Sequence, residues 1–230
     1  MLKIINHNYL INKVKFFIRY FFLSFLNTIK IKMNNDTDKY YLPNFLIKNI
    51  VTIDPRKIKY RNSIPLKYKK ESTPFIYNFD WDEKNELLSN FEKEDPTYNT
   101  CRELFIENLE IKKCQEFYFF KEQIRKFGII KNCKNEDDII LYFKELLKVF
   151  ENIKKNGLKK ITEHNIELMV DRNNNLVKIN KGNHRFFISR ILKLKSIPAE
   201  IKVIHSNCIE NRMNNNDLNN FIRRIELNYK

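Results

Sequence analysis

From Lys181 to Arg185 the chain reads Lys-Gly-Asn-His-Arg, and each residue type there has a reason to meet an anion. Gly182 carries no side chain and adopts positive φ at little cost, so the backbone can come close to a phosphate. If a helix opens at this point, the N–H groups of its first turn have no partner inside the helix. The positive end of the helix dipole then faces the same space as those donors. Arg185 can offer a two-pronged fork to phosphate oxygens, Lys181 adds a point charge, and Asn183 lies in the turn between them. His184 can donate a hydrogen bond or carry a proton near neutral pH. Asp171 and Glu167 precede the turn and His205 follows it. Strand ends beside a helix N-terminus are where α/β sites gather, so His184, Asp171 and His205 are the candidate catalytic residues. The competing structural reading is an ordinary helix start, with Arg185 paired to a local acid and His184 capped or buried.

These residues need a scaffold, and the surrounding sequence supplies one. Glu167 to Arg172 reads as a strand, Asn173-Asn174-Asn175 suits a turn, and Leu176 to Ile179 returns as a hairpin partner. Gly182 breaks that strand. His184 to Leu194 has helical spacing, with Phe187, Ile188, Ile191 and Leu192 inward. Ile197-Pro198 marks the exit, and Ala199 to His205 reads as a final strand. With a helix between them, Leu176–Ile179 and Ala199–His205 are expected to run parallel through a right-handed crossover.

Elsewhere the sequence speaks of packing. Asn49 to Ile58 predicts a short strand stopped by Asp54-Pro55. Phe75 to Asp82 alternates as a strand or extended loop, and Trp81, the single tryptophan, reads as a core anchor. From Thr97 to Lys126 the apolar spacing predicts one long helical stretch ended by Gly128. A second helix opens at Asn135, a suitable N-cap followed by three acids, and closes at Lys154, Lys155 and Gly157. Neither shows catalytic spacing. A last helix is expected from Asn216 to Leu227.

The segment 1–33 carries six lysines and arginines and no acid, with an aromatic centre. Its uncharged run, Tyr20 to Ile29, is short of the about 20 apolar residues that a spanning helix needs. It reads as an amphipathic basic helix, packed on the domain or lying on an anionic membrane surface. The formal net charge of +15 suits a polyanionic partner. Runs such as Asn152-Ile153-Lys154-Lys155-Asn156 supply the same charge through compositional bias alone. Cys101, Cys114, Cys133 and Cys208 stand too far apart for a C-x-x-C metal or redox motif and are expected as free thiols, with no metal site. The expected location is cytoplasmic, or peripheral to a membrane.

The run from Lys178 to His205, with its Gly-Asn-His-Arg turn, helix and Ile197-Pro198 strand, resembles the ParB/sulfiredoxin superfamily. It is most similar there to uncharacterised ParB-like proteins of surface-glycan gene clusters. Asp54 to Ile58 and Trp81-Asp82 match further elements of that group. The resemblance implies an α+β fold, a small mixed sheet with a G-x-H-R helix turn, spanning about 50–208 with a helical insertion at about 97–156 and a tail helix in 209–230. It implies phosphate binding by Lys181, Gly182, Asn183, His184 and Arg185, and ATP or CTP with Mg²⁺ as ligands. The activity it implies is that of a phosphotransferase or nucleotide hydrolase. Asn183 stands where sulfiredoxins carry their cysteine, so sulfiredoxin chemistry does not transfer; Lys181 stands where many relatives carry an acid, which favours phosphate binding and removes a candidate catalytic base. Two other functions compete: a non-catalytic module binding a membrane surface or a partner protein, and unspecific nucleic-acid binding or a nuclease.

Overall fold

The computed structural model describes residues 39–41, 49–62, 75–77, 80–159, 165–179, 181–209 and 215–230. The basic segment 1–33 lies outside them. Three strands form the centre, and each carries buried apolar residues. These are β6 (Ile166–Val170), β7 (Leu176–Lys178) and β8 (Ile197–His205); β6 and β7 are buried throughout. Chains buried on both faces lose the alternation of a half-exposed strand. The strands β1 (Lys39–Tyr41), β2 (Ile50–Ile53), β3 (Tyr60–Arg61), β4 (Phe75–Tyr77) and β5 (Glu86–Leu87) complete a mixed sheet. Its order is β1-β4-β8-β6-β7-β3-β5, and β2 pairs antiparallel with the first half of β8, beyond β4. The fold is therefore mixed α+β.

Among the described residues, six helices accompany the sheet: α1 (Leu88–Glu94), α2 (Pro96–Phe105), α3 (Gln115–Phe127), α4 (Glu136–Asn156), α5 (Asn183–Ile191) and α6 (Asn215–Asn228). Helix α5 lies between β6 on one side and α2 and α4 on the other. Phe186, Phe187 and Ile188 of α5, Leu104 of α2 and Phe143, Leu146 and Phe150 of α4 join Ile166, Leu168 and Val170 in one continuous core. A smaller cluster of Trp81, Met169, Val177, Ile179 and Val203 fills the opposite sheet face. Trp81 is thus the anchor its sequence context predicts. A bulge between β6 and β8 lets Lys202 stand unmatched between Ile201 and Val203, which reverses the alternation. That reversal puts Ile201 and Ile204 on the large core and Val203 on the small one.

Two expectations need correction. Residues Leu176–Ile179 and Ala199–His205 are neither neighbours nor parallel. Strand β6 sits between them, antiparallel to β7 and parallel to β8. The hairpin seats β6 at the centre, so the chain leaving β7 passes over β6 before reaching β8. The stretch from Thr97 to Lys126 is two helices, since Ile106–Cys114 breaks from helical geometry. Asn108 adopts φ +54°, and the segment from Ile111 to Lys113 is a separate 3₁₀ turn. Among the described residues, no helix is long and apolar enough to cross a membrane.

Candidate functional site

The turn before α5 is shaped by a close approach. Gly182 has φ +79°, and a Cβ built on it would lie 2.9 Å from the Ile166 Cα and 3.0 Å from the Asn165 carbonyl oxygen. Only glycine satisfies both conditions without moving backbone. Gly182 is the N-cap of α5, and it brings no side chain to cap the helix's first turn. The dipole's positive end is thus left to whatever occupies the space in front of it.

Beneath the turn lies a fully buried lysine. Lys178 Nζ donates to the carbonyl oxygens of Ile179 and Lys181, the latter at 2.7 Å, and to Asn183 Oδ1 at 2.9 Å. Burial pushes its pKa down to about 7, against the opposing pull of Glu167. Lys181 Nζ is bound to Glu167 Oε1 at 2.9 Å, and that carboxylate is almost wholly buried. Asn183 and Lys181 are therefore tied to the turn's own structure, with Glu167 as the counter-charge beside them.

In front of the turn is a cleft of ≈ 680 Å³, within the range of small-ligand sites. Lys181, Gly182, Asn183, His184 and Arg185 form one wall; Thr97, Lys131, Tyr142 and Glu145 are on the others. Arg185 is half-buried, and that burial lowers its pKa. The His184 ring meets the Tyr142 ring edge-on with centroids 6.0 Å apart. His184 Nε2 lies 3.1 Å from Glu116 Oε2. The Glu116 carboxylate is held from several sides: Thr97 Oγ1 donates to Oε1 at 3.0 Å and Lys131 Nζ to the same oxygen at 3.4 Å. Burial works to raise the Glu116 pKa, but His184, Lys131 and Thr97 outweigh it and hold the group below the usual carboxylate range. Lys131 also donates to Tyr142 Oη at 3.1 Å. Burial opposes the Lys131 charge, and Glu116 and Tyr142 more than restore it.

The structure thus gathers Lys181, Gly182, Asn183, His184 and Arg185 at one cleft. It places Asp171 and His205 elsewhere. Gly182 packs on Ile166 at the start of β6, whereas Asp171 directly follows the end of that strand, roughly 16 Å away along it. His205 ends β8, which runs parallel to β6, so it shares the far edge with Asp171. Asp171 spends its carboxylate on the hairpin. Oδ1 accepts from Asn173 N at 2.9 Å and Asn175 N at 2.8 Å, and Oδ2 accepts from Asn175 Nδ2 and Asn85 Nδ2. His205 Nδ1 accepts from Asn207 N at 3.1 Å, its Nε2 lies 3.8 Å from Asp82 Oδ1, and its ring packs against Trp81. The cause is the hairpin itself: it returns the chain from Asp171 to the start of β6 before the turn begins.

Sequence reasoning missed Glu116, Lys131 and Tyr142, because the helices of 97–156 read there as packing elements. One signal was present. Glu116 is an acid flanked by Cys114, Phe117 and Phe120, all three of which are buried. It is also the second residue of α3, where the dipole favours an acid, and that explanation hides the other. No protein-family model, curated protein or solved structure matches the chain.

Proposed function

We propose that the cleft before α5 binds the phosphate groups of a nucleotide. The observation that carries this reading is the combination of an uncapped helix start with Lys131, Lys181 and Arg185 around a cleft of ≈ 680 Å³. Backbone donors at a helix start and cations lining one space favour a multiply charged anion. The cleft is large enough for a nucleoside as well as its phosphates. The order of hairpin, glycine turn, helix and strand is the one that a ParB/sulfiredoxin-like domain would have, which favours ATP or CTP over other phosphate esters. Mg²⁺ would be held mainly by the phosphates, with Glu145 as the acid among the residues lining the cleft.

The test is binding of ATP, ADP, CTP and GTP, with and without Mg²⁺, to the wild type and to Arg185→Ala. One nucleotide is expected to bind, and Arg185→Ala is expected to weaken it by about tenfold or more through loss of a charge-assisted fork. If none binds to the folded wild type, or if the variant binds equally well, the reading fails. Binding that ignores the nucleoside and collapses with salt would instead indicate general polyanion attraction.

A further inference from the structure

His184 is not a simple phosphate ligand, because its two ring nitrogens stand in different surroundings. Nε2 faces Glu116 at 3.1 Å, and Glu116 is nearly inaccessible, with its side chain 3% exposed. A carboxylate held ionised by Lys131, Thr97 and the ring itself can only accept, so Nε2 carries the hydrogen. In a neutral ring Nδ1 then has the free lone pair. Among the described residues, Nδ1 has no hydrogen-bond partner, and the ring lines the cleft with 17% of its side chain exposed. A histidine at a ligand cleft, one nitrogen fixed by a buried carboxylate and the other left open, is the arrangement of an oriented base.

We propose that Glu116 fixes His184 so that Nδ1 accepts the proton of a hydroxyl attacking the terminal phosphate of the bound nucleotide. This inference rests on the phosphate-binding reading and adds a reaction to it. The attacking oxygen, from water or an alcohol, forms a bond to the terminal phosphorus. The bond from that phosphorus to the β,γ-bridging oxygen breaks, and its electron pair leaves with the nucleoside diphosphate. The hydroxyl proton passes to His184 Nδ1, and the imidazolium so formed faces the Glu116 carboxylate. The other charged or titratable groups around the ring are Lys131 from the loop before α4, Tyr142 and Glu145 from α4, and Lys181 and Arg185 beside it on the turn and α5. Lys131 already shares Glu116, Lys181 is paired with Glu167, and the Arg185 guanidinium has no lone pair to accept a proton. His184 is thus the group placed to take a proton, and Glu116 is its positioning residue.

The experiment follows water attack, the simplest case, as release of nucleoside diphosphate and orthophosphate from ATP or CTP with Mg²⁺ by the full chain. Wild type, Glu116→Gln, His184→Gln and the double variant are compared, and nucleotide binding is measured separately on each. Glu116→Gln keeps a side-chain oxygen for Nε2–H to donate to, so it preserves the shape and removes the charge. This variant is expected to bind the nucleotide within about threefold of wild type and to turn it over about 10²-fold more slowly, the usual size of a general-base contribution. The double variant is expected to be no slower than His184→Gln, because the two residues act as a unit. ¹⁵N spectra of the wild-type imidazole should show the Nε2–H form when neutral. Wild-type protein that binds the triphosphate yet releases no nucleoside diphosphate, or a neutral ring protonated on Nδ1, would overturn the proposal. Both outcomes leave the binding reading standing. Absence of nucleotide binding would remove both.

Discussion

At the scale of single residues, the turn before α5 depends on two unusual choices. The first is Gly182, whose positive φ and 2.9 Å approach to the Ile166 Cα leave no room for a side chain. Gly182→Ala is expected to cost about 2 kcal/mol or more, since strain and a backbone clash add. Urea unfolding would measure it, and a loss below about 0.5 kcal/mol would mean that the backbone shifts freely there. The second is Lys178, a cation buried beneath the turn, where its ammonium ties Ile179, Lys181 and Asn183 together. Its folded-state pKa, down to about 7, lies below the ordinary lysine value of 10.5. Between those two values the unfolded chain binds the additional proton, so folding becomes more favourable as pH rises. Below about pH 7 both states are charged, and the cost of burying the ammonium is fully present. Stability attributable to Lys178 should therefore increase from pH 7 to 9 by up to about 1.4 kcal/mol per pH unit. Above that window the buried thiols of Cys101 and Cys114, whose pKa values burial pushes up, act in the opposite direction. In Lys178→Met the rise should vanish. A rise of equal slope in the variant would assign the titration to another group.

At the scale of elements, α4 shows local signals and tertiary role in agreement. Asn135 Oδ1 accepts from the Asp138 N–H at 2.9 Å, and Asp138 Oδ2 accepts in return from the Lys134 N–H at 2.9 Å. Asn135→Ala should cost about 1 kcal/mol, and Asn135→Ser should recover most of it, because either oxygen can fill the cap. Equal stability of all three proteins would show that the first turn of α4 is held by packing alone. The sequence was legible here because cap, acidic first turn, apolar stripe and closing glycine all agree. It was legible for the hairpin and for the start of α5 for the same reason. It misled at Ile106–Cys114, where Leu109 and Ile111 continue a helical spacing although the chain has left the helix. Ile106 is 56% and Leu109 37% exposed, so these apolar residues report no buried face. Strand neighbours were misjudged because β6, β7 and β8 are apolar on both sides, and such runs do not say which lies in the middle. Glu116 and Lys131 were beyond reach for a different reason. Their meeting with His184 joins α3, a loop and α5, and no spacing within one element encodes a contact among three.

At the scale of the whole molecule, distant parts of the chain are closed upon each other by α6. Strand β2 pairs with β8 through one edge, and an open outer edge invites pairing with another chain. Helix α6 answers it: Thr52 N donates to Glu226 Oε1 at 3.0 Å, and Asp54 N donates to the Tyr229 carbonyl oxygen at 2.6 Å. Leu218, Phe221, Ile222 and Ile225 of the same helix enter the large core. The Tyr229 hydroxyl accepts from Leu176 N at 2.9 Å, so one residue fastens both the end of β2 and the start of β7. Leu176 is fully buried, and its N–H has no water to turn to. Tyr229→Phe keeps the ring and removes just that acceptor. It should lower stability by about 1–3 kcal/mol, the cost of an unsatisfied buried donor, with an unchanged denaturant slope. Because Leu176 pairs with Val170 at the end of the hairpin opposite Ile166, on which the turn packs, nucleotide affinity at a temperature well below unfolding should not change. A Tyr229→Phe protein that unfolds at the wild-type urea midpoint would show that the hydroxyl carries no net stability. One that keeps its stability but loses the nucleotide would place α6 in communication with the cleft, although α6 contributes no residue to the cleft's lining.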